Sequence, residues 1–267
     1  MNLIELANFA PLFLLVVFRV AGVMLMSPFF SSSRVPNVFR VMLILMISLG
    51  ISTGVAGVDY SRMVVPSDLI TLVVAMVGEF LFGMAMGMAV SLVFTATQWA
   101  GELIGQQVGF SIGSVFDPQF GGSGSPVGDL YFILTLLVFI SVGGHRIMLS
   151  GMHESLVVLP PMALVLTPDV LELVLDLLNA ATILALRLAA PVFVTLLVAD
   201  IALGFLSKTM PQLNILSAGL GLRTILGMLV LIFGIASTGG VISDSMTSTL
   251  EAWVQAVSDA SVAGLVK

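Results

Sequence analysis

The chain has 267 residues, of which 58% are hydrophobic and only 9% are charged. With a mean hydropathy of +1.17, this composition excludes water as the main solvent and predicts a polytopic integral membrane protein. The nine Lys and Arg residues form no basic patch, which excludes a nucleic-acid-binding function. Cysteine is absent, which excludes disulfide bonds, thiolate metal sites and cysteine nucleophiles.

Apolar stretches long enough to cross about 30 Å of hydrocarbon recur along the whole chain. We therefore predict an all-α integral membrane protein of about six long, kinked helices arranged as helical hairpins, in a single domain over residues 1–267. Gly143, Gly144 and Pro160–Pro161 leave open whether the fourth stretch is one helix or two. The approximate limits of the stretches are 3–30, 38–58, 69–97, 130–166, 180–206 and 213–242.

Two further segments are amphipathic rather than uniformly apolar. Thr167 and Pro168 are typical of a helix start, and Asp169, Glu172 and Asp176 after them share one helical face. The C-terminal segment at about 243–267 places apolar residues at helical spacing against polar ones. We expect this amphipathic C-terminal helix to lie against the membrane or a partner.

A glycine ridge lies in the connection after the third apolar stretch. Gly101, Gly105, Gly109 and Gly113 recur every fourth residue and predict a flat surface for close helix packing. The same segment carries Gln98, Glu102, Gln106 and Gln107 among apolar residues, so it is too polar for lipid and too apolar for a solvated linker. Packing alone and a pore-lining or pore-closing role both remain open.

Five charged residues fall inside apolar stretches, where each is costly unless it is paired or faces water. An ion or proton pathway is one interpretation, with Glu79 and Asp200 as the relay candidates. Interhelix or intersubunit salt bridges are the favoured interpretation, because the sequence contains no clustered carboxylate relay. The buried charges predicted to need partners are Arg19, Glu79, Arg187, Asp200 and Arg223.

Enzymatic motifs are weak in this sequence. The residues from Gly121 to Gly124 match an intramembrane serine protease motif in letters, but Ser123 lies in a Gly/Ser stretch typical of a loop. His153 lacks the second histidine one helical turn later that a zinc protease requires. We therefore expect no catalytic residue, no metal site and no cofactor.

Several strings in order along the chain resemble the FliR family of flagellar type III secretion export-gate proteins and its injectisome counterparts (SpaR, YscT and HrcT). The strings are Arg19 with Pro28, Arg34–Pro36, Gly101–Phe110 with Phe116–Pro118, Gly143–His145, the 191–204 stretch with Asp200, and Pro211–Asn214. Val108 departs from the methionine expected at that position.

The resemblance implies a non-enzymatic gate subunit for unfolded flagellar proteins, in the bacterial inner membrane and the flagellar basal body. It implies lipid contacts and partners of the FliP and FliQ type in a hetero-oligomer, with FliB- or FlhB-type and FlhA-type export components. It also implies a structural hairpin turn at Pro211, Gln212, Leu213 and Asn214. A plug loop at about 106–118 would close the pore with Gln106, Gln107, Val108, Gly109, Phe110, Ile112, Val115, Phe116, Asp117 and Pro118.

The alternative function is a small-molecule or ion secondary transporter, which also uses broken helices and intramembrane charges. Such transporters are usually built from internal repeats, and the two halves of this sequence show no matching interrupted segments. The gate interpretation is therefore the preferred one.

Overall fold

The computed structural model describes residues 3–31, 36–54, 68–110, 125–159, 161, 168–209 and 215–265. Within these ranges the chain forms eight helices and no strand, which confirms the all-α prediction. In chain order the helices are α1 Leu3–Met26, α2 Pro28–Ser31, α3 Asn37–Gly54, α4 Leu69–Val108, α5 Pro126–Ser141, α6 Gly144–Val158, α7 Pro168–Thr209 and α8 Ile215–Leu265.

Among the described residues, three helical segments are long and apolar enough to cross a membrane, namely Leu69–Val108, Val174–Thr209 and Gly219–Gln255. A fourth crossing is present if α5 and α6, which are bent by 62°, form one broken span. The about six long helices predicted from hydropathy are therefore not confirmed by the part of the chain that the structure describes. The first apolar stretch is interrupted at Ser27, where α1 ends just before Pro28.

The fourth apolar stretch is divided at Gly143, the alternative that its glycine pair left open. Gly143 has a φ of 74°, a left-handed conformation that glycine adopts without steric cost, and it is the N-cap residue directly before α6. At the start of α5, Ser125 accepts a hydrogen bond from the backbone N–H of Val127 at 3.3 Å, and Pro126 occupies the first turn. Each of the two helices therefore has its own local start signal.

Three helices extend further than their sequence pattern predicts. The acidic amphipathic segment after Thr167 is the beginning of α7 and not a separate helix, and α7 continues through Pro191. The predicted C-terminal amphipathic helix is the continuation of α8, which has 51 residues. α4 reaches Val108, so the predicted plug loop, placed at about 106–118, begins inside a helix. A change from apolar to polar residues did not end these helices because it left the backbone hydrogen bonding intact.

The chain divides into two compact units. The first unit comprises Met1–Leu92, Gly143–Leu177 and Thr247–Lys267, and the second comprises Val93–Val142 and Leu178–Met246. In the second unit, the hydroxyl oxygens of Thr97 on α4 and Thr135 on α5 lie 2.9 Å apart. The ring of Phe94 packs on Phe132 and Phe139, with centroid distances of 5.5 and 5.8 Å. These contacts align α5 with the C-terminal half of α4.

Candidate functional site

The C-terminal end of α4 lies against the start of α5 because two ridge glycines have no side chain. A Cβ atom at Gly101 would lie 2.6 Å from the Cα of Gly128, and one at Gly105 would collide with the side chain of Ser125. Small residues at four-residue spacing allow this kind of backbone approach. The fourth member of the ridge, Gly113, lies outside the described residues.

The glycine at the end of α4 stops the helix. Gly109 has a φ of 98°, in the left-handed region. The backbone N–H groups of Gly109 and Phe110 both donate to the carbonyl oxygen of Gly105, at 3.1 and 2.9 Å. This arrangement caps the last turn and changes the direction of the chain. The backbone after Phe110 therefore leaves α4 from a defined starting point.

Val108 attaches this end of α4 to α8. Its side chain is fully buried, and its carbonyl oxygen lies 2.9 Å from the hydroxyl of Thr224, which shares its single hydrogen between Val108 and the carbonyl oxygen of Leu220 at 3.0 Å. A Cβ atom at Gly227 would collide with the side chain of Val108, so α8 approaches closely at this point. Sequence reasoning missed Thr224 and Gly227, because neither belongs to a motif and both are far from Val108 along the chain. We refer to Gly105, Val108, Gly109 and Thr224 as the α4 anchor.

The structure describes only the first half of the predicted plug. Gln106 and Gln107 are exposed, and the side chain of Phe110 is 36% exposed. Phe110 also lines an apolar cavity of about 230 Å³ between α5 and α8, whose wall includes Pro126, Tyr131 and Met228. The remaining plug residues, Ile112, Val115, Phe116, Asp117 and Pro118, lie outside the described residues, as do Ser123 and the predicted hairpin turn Pro211, Gln212, Leu213 and Asn214.

The first unit contains a buried ion pair. Arg19 on α1 and Glu79 on α4 are each only 1% exposed, and Nε of Arg19 lies 2.5 Å from a carboxylate oxygen of Glu79. Nη1 of Arg19 donates to the backbone carbonyl oxygens of Ser155 and Leu159, at 2.9 and 3.0 Å. The guanidinium also lies 5.0 Å from the ring centroid of Phe82. One arginine thereby connects α1, α4 and the end of α6, and its charge is compensated in the protein interior.

The remaining charged residues predicted to be buried are more accessible. Arg223 on α8 and Asp200 on α7 form an ion pair at 2.7 Å, and both side chains are more than one-third exposed. Arg187 on α7 is exposed and forms no ion pair with the described residues, so the partner expected for it stays a prediction. Over the same part of the chain, no group of three or more His, Asp or Glu residues is arranged to hold a metal ion.

The sequence matches a family described as bacterial export proteins, family 1, over residues 10–249. It is similar to the flagellar biosynthetic protein FliR of Bacillus subtilis, with 29% identity over 247 residues that cover 90% of this chain and 92% of that protein. It is 27% identical over 225 residues to FliR of Aquifex aeolicus, covering 83% and 84%. It is also 27% identical over 219 residues to the surface presentation of antigens protein SpaR of Shigella sonnei, covering 81% and 82%.

Proposed function

Because the chain belongs to the bacterial export proteins, family 1, we propose that it is a non-enzymatic subunit of a type III secretion export gate. In this proposal it forms and plugs the channel through which unfolded flagellar proteins cross the inner membrane, as part of the flagellar basal body. FliP-type and FliQ-type subunits complete the gate as a hetero-oligomer, and FliB- or FlhB-type and FlhA-type export components are further partners. The relatives named FliR favour the flagellar machine over an injectisome.

The α4 anchor is the observation that carries the plug proposal. A plug needs a rigid base, because a segment attached to a loose helix end cannot block a pore reproducibly. Val108 supplies such a base through its buried side chain and the 2.9 Å hydrogen bond from Thr224. Gly109, with its φ of 98°, then turns the chain away from the axis of α4.

The apolar residues that follow the α4 anchor are proposed to close the pore. Phe110, Ile112, Val115 and Phe116 are the side chains proposed to fill the pore. Apolar side chains in a narrow pore exclude water and thereby resist ion leakage by dewetting. They form no strong polar bonds, so a passing polypeptide displaces them at modest cost. The anchor retains the base of the segment during this movement, which allows the plug to return.

The test is a deletion that removes the plug and preserves the anchor. Residues 111–118 are deleted, and the chain is co-expressed in cells with FliP-type and FliQ-type subunits. We expect ion leakage across the inner membrane to rise at least about tenfold, because the pore loses its dewetted barrier. Replacing the same eight residues with a Gly/Ser sequence of equal length separates loss of the apolar side chains from shortening of the loop. Unchanged leakage in both variants, with the complex still assembled, would contradict the plug.

A further inference from the structure

A groove between α4 and α7 has no role in the proposed plug. We propose that it binds a cationic side chain, arginine or lysine, presented by a helix of another membrane subunit of the export gate. This inference rests on the proposed function, because it takes the other subunit from the gate. The groove lies within the second unit and has a volume of about 280 Å³. Its lining includes Trp99, Glu102, Leu103 and Gln106 from α4 and Thr182 and Leu186 from α7.

The carboxylate of Glu102 is the group that requires a partner. It is half-buried and forms no hydrogen bond or ion pair with the residues that the structure describes. It also lies in α4, which is a candidate membrane span. An ionised carboxylate in such a helix is costly unless a cation or strong donors compensate it. The side chain therefore points to a positively charged partner.

The neighbours of Glu102 on α4 define which cation fits. Trp99 lies three residues before Glu102 and Gln106 lies four residues after it, so both share its helical face. Trp99 is 51% exposed, so its indole ring is available to a ligand. A guanidinium or ammonium group is attracted to an indole face, and its N–H groups can donate to a carboxylate and to an amide oxygen. Trp99, Glu102 and Gln106 together supply these three contacts.

The opposite wall contributes shape rather than charge. The hydroxyl of Thr182 donates to the backbone carbonyl oxygen of Leu178 at 2.9 Å, so its hydrogen is already used within α7. Leu186 is apolar and 55% exposed. A long side chain with an apolar stem and a charged end matches this combination of an apolar wall and a carboxylate. Free inorganic cations lack that apolar stem.

The chain contains one internal alternative for compensating Glu102. Arg187 follows Leu186 on α7, is exposed, and forms no ion pair in the described part of the chain. If Arg187 neutralised Glu102, the groove would need no external cation. Replacement of Arg187 by glutamine would then disturb the protein as much as replacement of Glu102. The two interpretations therefore predict different results for the same measurement.

The test uses the complex formed by co-expressing the chain with FliP-type and FliQ-type subunits. Glu102→Gln removes the charge and preserves the shape of the side chain. We expect it to lower recovery of at least one partner subunit about tenfold or more, because loss of one member of a buried charge pair leaves the other uncompensated. Glu154→Gln, at an exposed carboxylate on α6, is the matched control and should leave recovery unchanged. Thermal unfolding of the isolated Glu102→Gln chain in detergent verifies that it still folds.

Cross-linking then locates the partner. The chain has no native cysteine, so a single Leu103→Cys variant carries a photoreactive probe in the groove and Ile133→Cys, 54% exposed on α5, serves as the control. We expect a subunit cross-link from Leu103→Cys that disappears with Glu102→Gln. Unchanged recovery of the Glu102→Gln complex, an equal loss with Arg187→Gln, or adducts with lipid alone would overturn the inference. If the unaltered chain recovers no partner subunit, the proposed function itself is overturned.

Discussion

The hydroxyl of Thr224 on α8 lies 2.9 Å from the carbonyl oxygen of Val108, the last residue of α4. The two residues are separated by 116 positions in the sequence. This carbonyl is one of the last in its helix, and such groups need partners from outside the helical ladder. The hydrogen bond therefore gives this carbonyl oxygen a partner and joins α4 to α8 at the base of the proposed plug.

Replacement of Thr224 by valine should loosen the α4 anchor with little change in volume. Loss of this hydrogen bond costs about 1 kcal/mol, which corresponds to an about fivefold larger population of the detached state. In the co-expressed gate, we expect ion leakage between that of the unaltered chain and that of the plug deletion. Thr195→Val is the control, because the hydroxyl of Thr195 donates to the carbonyl oxygen of Pro191 in its own helix, whereas that of Thr224 also reaches Val108 on another helix. Equal leakage from the two variants would contradict a role for the anchor in closure.

Replacement of Gly109 by alanine should strain the cap of α4. A residue with a Cβ atom pays about 1 to 2 kcal/mol in the left-handed region, and Gly109 has a φ of 98°. We expect a lower unfolding temperature in detergent and increased leakage in the assembled gate. Gly78→Ala is the matched control, since a Cβ atom there meets no atom within 4 Å and Gly78 lies inside α4. That variant should be stabilised by about 0.5 to 1 kcal/mol, and destabilisation of both to the same extent would contradict the prediction.

The close approach of α4 and α5 at Gly105 can be tested with a second substitution that relieves the clash introduced by the first. Gly105→Ala should force the side chain of Ser125 away from its capping position at the start of α5. Loss of such a cap costs about 1 kcal/mol. The double variant Gly105→Ala with Ser125→Gly should recover much of the loss, because glycine at the N-cap costs only a few tenths of a kcal/mol. Thermal unfolding of the single and double variants measures the effect, and a strictly additive result would argue against the predicted contact.

The buried pair of Arg19 and Glu79 should be sensitive to loss of one charge. Arg19→Met leaves the carboxylate of Glu79 in the interior without its cation, at a cost of about 3 to 5 kcal/mol. Adding Glu79→Gln removes the stranded charge, so the double variant should unfold at a higher temperature than Arg19→Met. Arg19→Lys is the control, because it keeps a positive charge beside Glu79 and should therefore unfold at a higher temperature than Arg19→Met. A double variant less stable than Arg19→Met would refute this account.

Composition alone predicted the membrane as solvent and helices as the fold, because an apolar backbone segment must satisfy its hydrogen bonds internally. Local signals also predicted the close packing at Gly101 and Gly105, whereas the break at Gly143 was one of two alternatives that the sequence left open. Local signals were insufficient for helix ends, since α4 continues through the polar residues to Val108 and α8 continues through the amphipathic C-terminal segment. A change in side-chain polarity does not interrupt the backbone ladder, whereas a left-handed glycine does.

Sequence by itself identified Arg19 as a residue that needs compensation, because a charge in an apolar stretch is costly wherever it lies. Only the tertiary structure selected Glu79, 60 positions away, and the carbonyl oxygens of Ser155 and Leu159 as its partners. The same holds for Val108 and Thr224. Hydropathy and residue spacing describe one helix at a time, while the pairing of distant side chains depends on how the helices pack. The membrane as solvent and the helical secondary structure therefore follow from the local sequence. The α4 anchor and the ion pairs form only when the helices pack against one another.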